Sequence, residues 1–444
     1  MVRWRRIAVL FLSALACVAV LLVAASRTVG IASGEEWTEF RGPGQQGVSR
    51  AEAVPLEWGA DANVAWRRQL PGSGWSSPVV GRGKIFLTAA VPLGEQQVNI
   101  VGESKKADTP FSLRTLCLDP DAGTILWDVE IAQVPAGASI HPKNSHASAT
   151  PVLSGDRLFV HFGTHGTAAL DLAGNLLWKT AIAYKPVHGC GGSPVLTDDS
   201  LVFNCDGGDA AFVVALDAAT GAERWRTPRP QAKSQTFSFC TPLMIEVDGQ
   251  PQIVSPGSHA VCGYDSVTGT ELWRVCYPNK WSIVPRPVFA GGLVFVCTGY
   301  EGPAELLAIR PDGRGDVTAT HVAWREDRFV PHNPSPIVHG DALYLISDAG
   351  IASCRDLATG ELVWKERLSG NHSASPILVG DRIYFLSEEG TCTVVRASRT
   401  FEKLATNEMG ERTLASLVPV DGGLLLRTEA AICRIGSDSL QAGR

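Results

Sequence analysis

Short apolar runs alternate with polar turn clusters along the chain, in a unit that recurs. The pattern opens on Ser or Thr and Pro, then gives two apolar residues, a Gly/Asp turn and a second apolar run. After a gap come an Asp-x-x-Thr-Gly-like turn and a closing Trp. Apolar runs this short, bounded by Gly and Asp, predict strands rather than helices. The opening prolines are Pro78, Pro151, Pro194, Pro242, Pro287, Pro336, Pro376 and Pro419. In the sixth copy, Ser335 to Val338, Ala342 to Ser347, Ile351 to Arg355 and Glu361 to Lys365 read as four strands joined by tight turns. One such meander cannot bury both faces alone, but radially stacked copies of roughly 40 to 50 residues can. The prediction is an all-β fold: an eight-bladed β-propeller of four-stranded antiparallel blades.

The eighth copy supplies only three strands before the chain ends. The segment Asn63 to Arg67 carries a Trp with strand context, Trp66, 12 residues before Pro78, a spacing repeated from Trp324 to Pro336 and from Trp364 to Pro376. This N-terminal strand is therefore expected to close the last blade, leaving no free sheet edge. Trp66, Trp127, Trp178, Trp225, Trp273, Trp324 and Trp364 are read as structural residues docking between blades, with Leu404 in the Trp place of the seventh copy. Asp217 to Gly221, Asp265 to Gly269 and Asp356 to Gly360 are read as turns, not cation sites.

Composition refines this picture. Twelve Trp, 45 Gly and 27 Pro beside three Met favour strands and tight turns. Residues 1–33 read as a signal peptide or an N-terminal membrane anchor, because Arg3, Arg5 and Arg6 precede an apolar run over residues 7–25. An N-terminal extension is expected over 34–62, a single propeller over 63–436 and a tail over 437–444. Removing residues 1–33 takes four Arg and no acid, moving the formal charge from −6 to −10. That excludes a basic footprint for nucleic acid. Ten cysteines remain beyond Cys17, none in a Cys-x-x-Cys motif. They are read as mostly free and packed, with one or two bridges among Cys190, Cys205, Cys240 and Cys276.

The segment Ala215-Leu216-Asp217-Ala218-Ala219-Thr220-Gly221-Ala222-Glu223-Arg224-Trp225 resembles the tryptophan-docking repeat of PQQ-type quinoprotein dehydrogenases and of the outer-membrane protein assembly factor BamB. The opener Trp37 to Pro43 and the segment His141 to Ser148 resemble a group of secreted bacterial propellers common in planctomycetes. The likeness runs over nearly all of residues 37–435 and implies a propeller. The quinoprotein branch further implies an adjacent Cys-Cys pair over the quinone and a Glu/Asn/Asp set for calcium and a base. No two cysteines are adjacent here, and no segment matches that acidic set.

If the four strands alternate in direction, second-to-third and fourth-to-first connections share one rim. The two longest, about Thr88 to Leu113 and Val129 to Ala147, fall there. Four histidines precede first strands: His146, His188, His332 and His372. His141, Lys143, Asn144 and Trp75 stand in equivalent loops, as do Asn279, Lys280, Trp281, Asn333 and Asn371. These are the candidate ligand-binding residues, suited to a peptide, a carbohydrate or an anion. The competing reading has the histidines tying loops to backbone carbonyls. A shared metal is not expected, because His from opposite sides of a ring cannot converge at ~2 Å, and no Gly-x-Ser-x-Gly elbow marks a hydrolase.

The expected function is a non-catalytic binding or assembly scaffold of the cell envelope, exported to the periplasm or anchored by residues 7–25. Its partner would be an envelope protein, a peptide or a carbohydrate. No cofactor is predicted, and the chain is taken as a monomer. The alternative is a secreted quinoprotein oxidoreductase of alcohols or sugars, carrying PQQ with calcium.

Overall fold

A computed structural model describes residues 35–229, 234–300 and 302–436; the leader over 1–33 and the tail over 437–444 lie outside the described residues. Glu35 to Arg444 forms one structural unit.

The described strands form eight larger sheets, each built on four antiparallel strands; the fourth and seventh gain a fifth strand in parallel, and one small three-stranded sheet stands beside them. The sixth is Ile337–His339, Ala342–Ile346, Ile351–Asp356 and Leu362–Arg367. In the last, Val64–Gln69 pairs with Ala431–Gly436, so the N-terminal strand takes the outer edge of a sheet whose other three strands are C-terminal. Apolar side chains fill both faces of the middle strands, as they must when neighbouring sheets cover each other. The opening position needs one correction. The first strand of the eighth sheet begins at Val418, as the others begin one residue past their Pro, so Leu417 and not Pro419 holds the proline place.

Tryptophans join the sheets. The Trp178 ring lies over Gly221 in the third-to-fourth-strand turn of the next sheet, and its indole N–H donates to the Ala218 carbonyl at 3.1 Å. Trp66 and Trp127 repeat this on the turns at Gly123 and Gly174, donating to the Pro120 and Leu172 carbonyls. Trp225 and Trp324 stack on Gly269 and Gly360. Trp364 donates to the Ser398 carbonyl and packs on Phe401. Trp273 departs from the pattern: it is fully buried and donates to Gln252 of its own sheet. The reason is the next sheet's turn, where Gly315–Asp316 pairs parallel with Trp273 and Arg274 as a fifth strand. In the seventh sheet, which lacks the Trp, Trp58 packs on Tyr384 with ring centroids 6.2 Å apart.

The segment read as an extension is threaded across the narrow end of the ring. Trp37 bridges to Val80 of the first sheet, and Leu153 of the second donates its N–H to Thr38. The side-chain oxygens of Gln45 and Gln46 accept from Met244 and Phe289 of the fourth and fifth sheets. Val48–Ser49 pairs parallel with Ile377–Val379 of the seventh. Residues far apart in sequence thus meet through one strap.

The two long connections are only partly loops. The first carries the hairpin Val98–Val101 and Ser104–Ala107, and the second extends the strand Ile125–Val134 before adding Ser139–Ile140 to that hairpin. All ten cysteines within the described residues are free, so the bridges considered among Cys190, Cys205, Cys240 and Cys276 are not formed.

Candidate funnel site

A ring of small hydroxyl residues stands just before the first strand of seven sheets. Ser77 N–H donates to Thr150 Oγ1 at 3.0 Å, Thr150 N–H to Ser193 Oγ at 2.9 Å and Ser193 N–H to Thr241 Oγ1 at 2.9 Å. On the other arc, Arg286 N–H donates to Ser335 Oγ, Ser335 N–H to Ser375 Oγ and Ser375 N–H to Ser416 Oγ, at 2.9 to 3.0 Å. Six of the seven hydroxyls, all but that of Ser77, satisfy a backbone donor of the preceding sheet, where the following proline leaves no N–H of its own. The fifth sheet carries Arg286 in place of the hydroxyl residue.

Above this ring opens a funnel of about 610 Å3. Seven ring residues and Phe40 of the strap line its narrow end. Phe40 is positioned by Arg286, which is fully buried, donates to the Phe40 and Pro242 carbonyls at 2.5 and 2.8 Å and lies 3.6 Å from Glu39. Apart from Phe40, every lining residue comes from a fourth-to-first or second-to-third connection.

The wall is aromatic on one side. His188 meets His141 edge-on at 5.3 Å between centroids and Phe237 at 5.3 Å, with Phe239 6.0 Å beyond Phe237. His188 adopts a positive φ of 63°, and its carbonyl accepts from His141 N–H and Asn144 Nδ2, which ties two loops together. Burial and the neighbouring His188 hold His141 below the ordinary imidazole range, so it is neutral at pH 7. Glu103, from the turn of the hairpin, reaches within 3.7 Å of His188 Nε2. Across the mouth, Lys143 pairs with Glu388 at 2.7 Å, and Ser373 donates to the same carboxylate. Tyr300 stacks on His332 at 4.4 Å, and Asn333 donates to Asp348. Burial and Asp348 push the Tyr300 phenol up.

Of the sequence-derived candidates, Trp75, His141, Lys143, Asn144, His188, Trp281 and Asn333 line the funnel. Trp75 carries the Arg412 guanidinium 5.4 Å over its ring. His146, His372, Asn279, Lys280, Asn371 and His332 do not line it. His146 packs on Phe111 at 4.9 Å, and His372 is buried with Nδ1 3.0 Å from the Leu386 carbonyl. Lys280 is buried and donates to the Pro303 carbonyl, and His332 supports Tyr300 from behind. Asn279 is a turn residue at φ 64°, and the backbone of Asn371 receives Glu388 N–H. Phe40, Glu103, Phe237, Phe239 and Tyr300 were missed. Phe237 and Phe239 occupy the same connection type as the chosen histidines, so that placement rule applied to aromatics finds them.

Among the described residues, no group of three His, Cys, Asp or Glu side chains is placed to hold a metal ion. No helix of the described residues is long and apolar enough to cross a membrane.

BamB from Moraxella catarrhalis superposes with a TM-score of 0.53 at 14% identity, covering 83% of this chain and 97% of that one. A europium-containing methanol dehydrogenase superposes at 0.51 and 13% identity, covering 82% and 89%. At such identity, both establish shared fold alone. A polyvinylalcohol dehydrogenase from a Pseudomonas species is 23% identical over 302 residues. The match covers 63% of this chain and 42% of that protein, so the chain spans less than half of that relative. A family profile described as outer membrane protein assembly factor BamB matches residues 56–186, 112–366 and 212–430. With matches running through all eight sheets, the chain belongs to the BamB-type family of PQQ-like repeat propellers.

Proposed function

We propose that the protein is a non-catalytic binding scaffold of the cell envelope, and that it holds its ligand in the funnel. The observation that carries this reading is the composition of the wall: aromatic rings and hydroxyls surround a cavity floored by Phe40, with Glu103 as the one carboxylate lining it among the described residues. Such a surface recognises by stacking and hydrogen bonding. A polypeptide segment or an envelope glycan suits it. The apolar leader with its three early arginines supports export.

A second reading, an oxidoreductase using a quinone and calcium, is favoured by the relative named polyvinylalcohol dehydrogenase. The donor set does not fit that group. Calcium takes six to eight oxygen ligands, commonly several carboxylates. Here Glu103 faces His188, and Asn144 is committed to the His188 and Cys190 carbonyls and to Ser145 and Ser148. No cysteine lines the cavity among the described residues.

The test is reconstitution of the purified chain with PQQ and Ca2+, followed by dye reduction with polyvinyl alcohol, simple alcohols and sugars. The scaffold reading expects no saturable quinone retention and no turnover. Quinone binding coupled to substrate-dependent dye reduction overturns it.

A further inference from the structure

The narrow end of the funnel has a chemistry of its own. Ser77, Thr150, Ser193, Thr241, Ser335 and Ser416 line it, and all are buried in the ring while facing the cavity. The oxygens of Thr150, Ser193, Thr241, Ser335 and Ser416 each accept a backbone N–H, so one lone pair of each is engaged toward the wall. A hydroxyl whose oxygen accepts still has a hydrogen to give. Among the described residues, none of these five donates that hydrogen to a protein acceptor, and the Ser77 hydroxyl, on a residue 2% exposed, has no hydrogen-bond partner at all. The ring is therefore an inward-facing set of donors without acceptors.

Positive charge sits directly around it. Arg41 donates to the carbonyls of Pro336 and Pro376, the residues that follow Ser335 and Ser375. Arg286 donates to Pro242, which follows Thr241. Arg427 donates to the Ser76 carbonyl, one residue before Ser77. The three arginines are between 0% and 2% exposed. Among the described residues, Glu39, facing Arg286, is the only carboxylate ion-paired with any of them. Arg41 Nε, Arg427 Nε and Arg286 Nη2 are buried without a hydrogen-bond partner. Burial unrelieved by a counter-charge pulls Arg41 and Arg427 down to about 9. Three guanidiniums against one carboxylate leave the base of the funnel short of negative charge.

We propose that the hydroxyl ring is an oxyanion site that receives a carboxylate group at the tip of the ligand, hydrogen-bonded by Ser77, Ser416 and their ring neighbours and charge-balanced by Arg41, Arg286 and Arg427. Aromatic residues higher in the funnel then hold the body of the ligand. The site rests on the funnel being the binding surface, and it is independent of whether the bound molecule is transformed.

Acetate is the probe, with acetamide as its neutral isostere, both titrated into the full chain at constant ionic strength and followed by calorimetry or saturation-transfer NMR. Acetate is expected to bind saturably and acetamide at least about tenfold more weakly, the order of one hydrogen bond to a charged acceptor. Ser77→Ala with Ser416→Ala should weaken acetate by about tenfold or more, with the circular dichroism spectrum unchanged. Should that variant not fold, soaking crystals of the unaltered chain with 4-bromobenzoate, whose aryl bromine neither thiols nor imidazoles displace, locates the site by bromine anomalous scattering, expected at the ring. Equal binding of acetamide, undiminished binding to a folded double variant, or bromine absent from the ring overturns the proposal. Carboxylate bound in the ring while the natural ligand docks on another surface retains this site and rejects the funnel as the binding surface, so the two failures are distinguishable.

Discussion

Two glycines with the same backbone demand separate turn geometry from tryptophan docking. Gly221 has φ 74° and Gly249 has φ 77°, so alanine at either pays the left-handed strain of about 1–2 kcal/mol. Around Gly249 nothing lies within 4 Å of the added methyl, whereas at Gly221 it falls 2.5 Å from Trp178 Cε3 and 2.9 Å from Thr180 Oγ1. Overlap of that depth cannot be absorbed without moving the indole off the turn, and overpacking adds about 1–3 kcal/mol. Gly221→Ala should therefore cost about 2–5 kcal/mol and Gly249→Ala about 1–2 kcal/mol. Urea midpoints of the two variants and the parent measure the difference. A double-variant cycle sharpens it: in a Trp178→Ala background the overlap with the indole disappears and only the Thr180 contact remains, so the added cost of Gly221→Ala should fall toward that of Gly249→Ala. Equal cost of the two glycine substitutions in the parent would refute the claim that tryptophan docking holds adjacent sheets.

Arg286→Met removes the clamp on Phe40 and leaves Glu39, whose side chain is 18% exposed, without its partner, which should cost about 3 kcal/mol, the low end for a buried pair; adding Glu39→Gln should recover part of it, read from melting curves. Burial depresses His146 to about 4 and His161 to about 3, against an ordinary 6.5. The unfolded chain therefore binds more protons below pH 6.5, so stability should be full above that pH and fall as pH drops toward about 4 and then about 3. Denaturation midpoints at pH 7 and pH 5 test the slope, which His146→Gln should reduce. His188→Ala should weaken any funnel ligand with little change in stability, whereas His372→Ala should do the reverse, because His372 is buried on the Leu386 carbonyl and outside the cavity.

The repeat was legible because radial stacking writes the same small set of demands into most copies: a proline before the first strand, a turn Gly, a Trp to cover the next turn. Trp66 was found by its strand context and its 12-residue distance from Pro78. Position could not be trusted where the chemistry is permissive, as with Pro419, since Leu417 begins the strand without proline. The strap over residues 37–58 was invisible because it has no period, and its partners, Val80, Met244, Phe289 and Ile377–Val379, are known only once the ring is closed. The Ser/Thr at seven of the eight openings was seen as part of a pattern, but its hydrogen bond runs between sheets and has no local signature. Histidine placement failed for the same reason: His188 and His372 stand in equivalent connections, yet one faces the cavity and the other a buried carbonyl.

The convergence of loops into one funnel depends on the ring being sealed by Val64–Gln69 against Ala431–Gly436. Arg67 lies opposite Cys433, with Arg67 Nη1 3.7 Å from the sulfur, so both side chains share a face. Paired strands bring Cα atoms to about 4.5–5.5 Å, within disulfide reach. Oxidised Arg67→Cys, cleaved by protease in an intervening connection and run without reductant, should keep its N- and C-terminal fragments in one covalent species that thiols separate. Fragments that part without reductant, from a variant that retains its native fold, would show that the N-terminal strand lies elsewhere and that the ring is not closed this way.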